Sequence, residues 1–229
     1  MEYANGSNLQ SYLKINFEKL TWNDKNQLAF QIADGLNYLH NEEVLHRDLH
    51  SKNIVIHEDN AKITDFGISK VENNSTMHIG LFGKAAYMEP QILTDQSFQY
   101  IKASDIYSYG ILMWEISSGY PPFEDKYNNN QDLIIDITCH KVRETTIPNT
   151  PDDYEKLYKK CWKQEPEQRP NIKEVLQKFL KMGFGKKIDN DTAEKTINEN
   201  LSENRDNSTS DSGSKVGEAI QYETYEDLC

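Results

Sequence analysis

Cysteine, positive charge and long apolar runs are all scarce in this sequence. Only Cys139, Cys161 and Cys229 occur in 229 residues, and no two form a C-x-x-C pair. That spacing excludes a zinc ribbon or a disulfide framework. It points to reduced thiols in a cytoplasmic protein. Lys and Arg number 25 against 37 Asp and Glu, a formal net charge of −12. A chain this acidic lacks the basic stripes that nucleic acid or an anionic membrane surface requires. No apolar stretch approaches the roughly 20 residues of a membrane span. The opening Met1-Glu2-Tyr3-Ala4-Asn5-Gly6 has no basic segment followed by an apolar one, so it does not read as a secretory signal.

The remaining pattern is that of a helical domain with a polar tail. Over 22–39, Leu28, Ile32, Leu36 and Leu39 fall on one helical face, and Thr21 with Asp24 forms a capping-box signature at its start. Residues 44–56 and 61–64 are rich in β-branched side chains and read as short strands. Residues 103–117 are helical in pattern but apolar nearly all round, which predicts a helix in the middle of the domain. Gly119 and Pro121-Pro122 stop it. Thr150-Pro151-Asp152-Asp153 predicts another helix start, with the Thr150 hydroxyl as cap. After Arg169-Pro170, the residues Ile172, Val175, Leu176, Phe179 and Leu180 recur at 3–4 spacing. From 184 to 229 Asp, Glu, Asn, Ser and Lys dominate, which predicts a disordered acidic tail. Its end, Tyr222-Glu223-Thr224-Tyr225-Glu226-Asp227, reads either as a docking or phosphorylation segment or as plain solvated chain.

One stretch carries specific chemistry. His46-Arg47-Asp48-Leu49-His50-Ser51-Lys52-Asn53 is followed by Asp65-Phe66-Gly67. An acid, an amide five residues on, and a second acid beside a glycine suit magnesium-dependent phosphoryl transfer. One carboxylate takes the proton of the attacking hydroxyl, while the amide and the other carboxylate hold metal between phosphates.

These motifs resemble those of eukaryotic protein kinases. So do Glu89-Pro90-Gln91, Ser104-Asp105-Ile106-Tyr107-Ser108-Tyr109-Gly110, Trp114-Glu115, Gly119-Tyr120-Pro121-Pro122-Phe123, Cys161-Trp162 and Arg169-Pro170. The set spans most of residues 1–182 in the family's order. The resemblance implies a mainly α fold with a few short β-strands: a kinase-like C-terminal lobe over 1–183, then the tail over 184–229. It implies ATP and Mg2+ as cofactors and a protein hydroxyl as acceptor, Ser/Thr ahead of Tyr.

By the same resemblance Asp48 is the catalytic base. Asn53 and Asp65 bind Mg2+. Lys52 neutralises charge on the transferred phosphate, a place most serine/threonine kinases give to the position of His50. Glu2 and Ala4 face the adenine edge, and Val55 lies beneath the ring. His46, Phe66 and Asp105 support the loop, with Asp105 bonding its backbone. Arg47 marks a loop over 68–88 that phosphorylation can order, with Ser75 and Thr76 as candidate acceptors. Gly67, beside Asp65-Phe66, is a further supporting residue.

The pattern also breaks. The sequence as given has no Gly-rich phosphate loop, strand lysine or partner glutamate ahead of Glu2. Mg·ATP binding is therefore expected to be weak or absent, and apolar lobe surface is left for a partner. A non-catalytic scaffold and a kinase with a misassigned start are the alternative readings. Gln91 stands where the family has the acid that pairs with Arg169. A buried unpaired charge costs about 3–5 kcal/mol, so a substitute acid is expected, with Glu89 the nearest. Lys84 stands where serine/threonine kinases usually carry the Thr that bonds the catalytic Asp and Lys, and together with Ser51-Lys52 it blurs the choice between hydroxyl substrates.

Overall fold

The computed structural model describes residues 7–65, 84–95, 97–124, 126–127 and 129–185. Among them are seven α-helices and one two-stranded antiparallel sheet. The expected tail beyond 185, together with Glu2, Ala4, Phe66, Gly67, Ser75 and Thr76, lies outside the described residues.

Asn8 accepts the Ser11 N–H and starts α1 (Leu9–Asn16). Helix α2 (Trp22–Asn41) begins with the predicted box: the Thr21 hydroxyl accepts the Asp24 N–H, and the Asp24 carboxylate accepts the Thr21 N–H at 2.8 Å. Its buried face carries Leu28, Ile32, Leu36 and Leu39, as the spacing implied.

The strand expectation needs correcting. Among the described residues only β1 (Ile54–His57) and β2 (Asn60–Ile63) form, joined by Glu58-Asp59. Both turn residues have positive φ, 48° and 60°, which is the backbone of a tight hairpin turn matched to strand twist. Residues 44–53 have no strand partner. The Val44 N–H instead closes the end of α2 on the Leu39 carbonyl at 2.9 Å. The backbone beyond it is held by a side chain, described below.

Helix α3 (Pro90–Thr94) leads to α4 (Lys102–Ser118), whose residues are buried from Ser104 to Ser118. Contacts from all sides suit a helix with no polar face. Gly119 ends it at φ 85°, and an added Cβ there would lie 2.5 Å from the Phe17 ring. Helices α5 (Asn130–Thr138), α6 (Asp152–Cys161) and α7 (Ile172–Lys181) complete the core. In α7 Ile172, Val175 and Phe179 are buried, and the partly buried Leu176 packs against the core.

The start of α6 also departs from expectation. Pro151 takes the cap position, and the Thr150 hydroxyl donates backwards to the Ile147 carbonyl at 2.7 Å. Asp152, Asp153 and Glu155 still occupy the first turn, where the helix dipole favours acids.

Candidate active site

The loop carrying His46, Arg47 and Asp48 is fixed from below by Asp105. This residue sits in the first turn of α4 and is fully buried. One of its carboxylate oxygens accepts the His46 N–H at 3.0 Å and faces His40 Nε2 at 2.9 Å. The other accepts the Arg47 N–H at 3.0 Å and the Tyr100 hydroxyl at 2.8 Å. Four partners and a helix N-terminus offset the cost of burying the charge. Arg47 takes φ 69°, a left-handed conformation that the two backbone bonds maintain.

His46 carries the restraint one layer further. Its Nδ1 accepts the Asp48 N–H at 3.3 Å, so Nε2 bears the proton and donates to the Thr64 carbonyl at 3.0 Å. Burial holds this imidazole below its ordinary pKa, which keeps that neutral form. Thr64 in turn donates its N–H and its hydroxyl to the Asn53 carbonyl, at 2.9 and 3.1 Å.

Asn53 closes the circuit. Its amide nitrogen donates to the Asp48 carbonyl at 2.8 Å and to Asp48 Oδ2 at 3.2 Å. The amide nitrogen thus faces Asp48 and the amide oxygen points elsewhere. Asp65 directly follows Thr64, at φ 57°, with its side chain exposed. The chain therefore brings Asp48 and Asn53 into contact and places Asp65 one residue past the bonds that tie Thr64 to Asn53 and His46.

Three further groups surround Asp48. Lys84 Nζ lies 3.3 Å from Oδ1 and 3.0 Å from Oδ2. His50 Nε2 lies 3.5 Å from Oδ2, near enough for electrostatic attraction but without hydrogen-bond alignment. Its Nδ1 accepts the Lys52 N–H at 3.2 Å. Burial alone would raise the Asp48 pKa. The adjacent imidazole and the Lys84 ammonium outweigh it and hold the carboxyl well below the usual range.

The Lys52 side chain is exposed, and no described hydrogen bond or ion pair joins it to Asp48. Val55 lies on the half-buried face of β1 and bridges Asn8, so the approach to α1 runs across that strand. The Ile56 N–H donates to the Ser7 carbonyl at 3.0 Å.

Arg169 finds its acid at Glu89. Both side chains are fully buried, Arg169 Nη1 bonds Glu89 Oε2, and Nη2 bonds Oε1 at 3.0 Å. Gln91, at the place of the family's acid, makes no described bond to Arg169. Its backbone N–H donates to Glu89 Oε1 at 3.2 Å because Glu89 caps α3. That cap also aims the glutamate inward.

Lys84 meets Asp48 from the position expected of the threonine it replaces, with an ammonium in place of a hydroxyl. The sequence reading missed a buried cluster beneath the loop. There the Tyr87 hydroxyl donates to Glu115 at 2.6 Å and stands 3.5 Å from the Ser51 hydroxyl. A strongly apolar helix interrupted by a glutamate was the available signal. Among the described residues no three His, Cys, Asp or Glu side chains form a metal cluster.

A family model described as protein tyrosine and serine/threonine kinase matches residues 1–179. The chain belongs to this family. Its relatives include a probable serine/threonine-protein kinase of Dictyostelium discoideum, 35% identical over 177 residues, 76% of this chain and 19% of that protein. A mitogen-activated protein kinase kinase kinase of Drosophila melanogaster is 35% identical over 202 residues, 81% of this chain and 16% of its own length. Mitogen-activated protein kinase kinase kinase 13-B of Xenopus laevis is 31% identical over 178 residues, 77% and 18% respectively. The chain thus spans less than a fifth of each of these relatives. No helix among the described residues is long and apolar enough to cross a membrane.

Proposed function

We propose that this chain provides the catalytic lobe of an ATP- and Mg2+-dependent kinase that phosphorylates serine or threonine in proteins. The observation that carries this reading is the Asp48 carboxylate, held by the Asn53 amide at 3.2 Å on a loop that Asp105 fixes. Asp48 accepts the proton of the substrate hydroxyl. The hydroxyl oxygen bonds to phosphorus as the bond to the leaving diphosphate breaks, and the bonding pair departs with the diphosphate. Asn53, through its amide oxygen, and Asp65 offer hard oxygen donors of the kind Mg2+ prefers. Magnesium, when bound, neutralises phosphate charge. Catalysis of this type is positioning and electrostatics, and the bonds around Asp48 supply positioning. Relatives named as serine/threonine kinases favour Ser/Thr over Tyr as acceptor.

The test is transfer of labelled γ-phosphate from ATP, with Mg2+, to an acceptor protein rich in Ser, Thr and Tyr, using the full chain. Label on Ser or Thr that Asp48→Asn removes supports the proposal. Label confined to Tyr, or label that survives Asp48→Asn, overturns it.

A further inference from the structure

We propose that Glu115 is a buried proton switch: its protonated carboxyl holds the 3-10 turn Ala85–Tyr87 against α4, and loss of that proton lets the turn open. The switch rests on the packing of these segments and not on the phosphotransferase reading.

Glu115 lies in α4 and is fully buried. Its Oε2 accepts the Tyr87 hydroxyl at 2.6 Å. Among the described residues nothing bonds Oε1. Two segments cover the carboxyl. Tyr87 comes from the turn, and Ser51, from the loop, stands 3.5 Å from the Tyr87 hydroxyl; both residues are buried. The charged groups nearby are Lys52, on the same loop, which favours ionisation, and Glu124, beyond the end of α4, which opposes it. Both of those side chains are exposed, so water weakens their influence. A carboxylate closed off from water, with one oxygen unbonded and no counter-ion in contact, is costly, whereas the neutral acid is tolerated. Burial accordingly raises this carboxyl to about 7.

Of the two covers, the turn is held less firmly. The loop is fastened by Asp105 and by the bonds between Asn53, Asp48 and Thr64. The turn spans three residues, and the N–H groups of Tyr87 and Met88 bond back to the Lys84 and Ala85 carbonyls. It is tied to α4 by the Tyr87–Glu115 bond and by the Ser108 hydroxyl, which donates to the Tyr87 carbonyl at 2.7 Å. One of these ties ends on the group that titrates. Opening the turn admits water to the carboxyl and returns it toward its ordinary 4.5. The closed turn therefore binds the proton more tightly than the open one. Its advantage is complete below pH 4.5 and is lost as pH rises to 7.

The experiment is amide hydrogen exchange in the full chain, followed by NMR and corrected for the intrinsic rate at each pH. The Tyr87 and Met88 amides should exchange through a more frequent opening than the one that exposes the Leu36 amide in α2. From pH 5 to 7 their opening constant should rise about 40-fold, the ratio that midpoints of 4.5 and 7 require. Glu115→Gln should remove this rise. In the unmutated chain, 13C NMR should find one glutamate carboxyl that titrates near 7, a reading that needs no variant. Exchange at Tyr87 and Met88 as slow as at Leu36, a rise that survives in Glu115→Gln, or the absence of any glutamate titrating above pH 6 overturns the proposal. Failure of the transfer assay would leave all three readings unchanged.

Discussion

Replacing Glu89 by Ala should cost the fold about 3 kcal/mol, while replacing Gln91 by Ala should cost almost nothing. Arg169 is fully buried and uses all of its donors. Nε bonds the Lys163 carbonyl, Nη1 bonds Glu89 and the Ala103 carbonyl, and Nη2 bonds Glu89 and the Gln164 carbonyl. The guanidinium also lies 5.1 Å from the Tyr107 ring centre. Removing the carboxylate leaves the cation buried without a counter-charge, which typically costs about 3–5 kcal/mol. The three carbonyls and the aromatic face still solvate it, so the low end applies. For a domain of this size each kcal/mol moves Tm by about 2–4 °C, giving a drop of about 6–12 °C. Glu89→Gln should fall between, since it preserves packing and one hydrogen bond but not the charge. Urea and thermal unfolding of the three variants measure this. A Gln91→Ala loss equal to that of Glu89→Ala, or a Glu89→Ala loss under about 1 kcal/mol, would refute the assignment of Glu89 as the counter-ion.

Burial raises the Glu115 carboxyl to about 7 from an ordinary 4.5, against the lowering effect of the Tyr87 and Ser51 hydroxyls. The native state thus keeps this proton while the unfolded chain loses it between pH 4.5 and 7, so stability falls across that window and levels off above it. The loss is about 3 kcal/mol, and Glu115→Gln should abolish it, read as a urea midpoint whose difference from wild type grows from pH 4.5 to 7. A constant difference would remove Glu115 as the source. Gly110 lies where α4 meets the end of α6, and an added Cβ would sit 2.8 Å from Cys161 Cβ and 2.9 Å from the Trp162 nitrogen. Gly110→Ala should therefore lose about 1–3 kcal/mol despite the better helix propensity of alanine. A gain in Tm would show that the two helices separate at no cost.

Much of the candidate site could be read from residue order and the resemblance. The loop motif named Asp48, Asn53 and Asp65. The kinase resemblance named Asp105 as the anchor, and the mismatch at Gln91 led to Glu89. Contacts made by flexible side chains across long sequence separations could not be read. Lys84 meets Asp48 over 36 residues and Tyr87 meets Glu115 over 28, and no periodicity encodes either. Val44 and the β-branched run Ile54-Val55-Ile56 draw residues 44–53 into the strand reading, yet their loop backbone is held by the Asp105 side chain rather than by another strand.

By itself the sequence determined α2, α4, α6 and α7, the cap of α2 and the residue types of the loop, because these depend on neighbours within a turn or two. Only the tertiary structure decided which cation sits beside Asp48 and which acid answers Arg169. Both choices turn on where side chains 36 and 80 residues apart meet once the core has packed. Burial then sets the outcome: a charge removed from water must find a partner close by, wherever in the chain that partner originates.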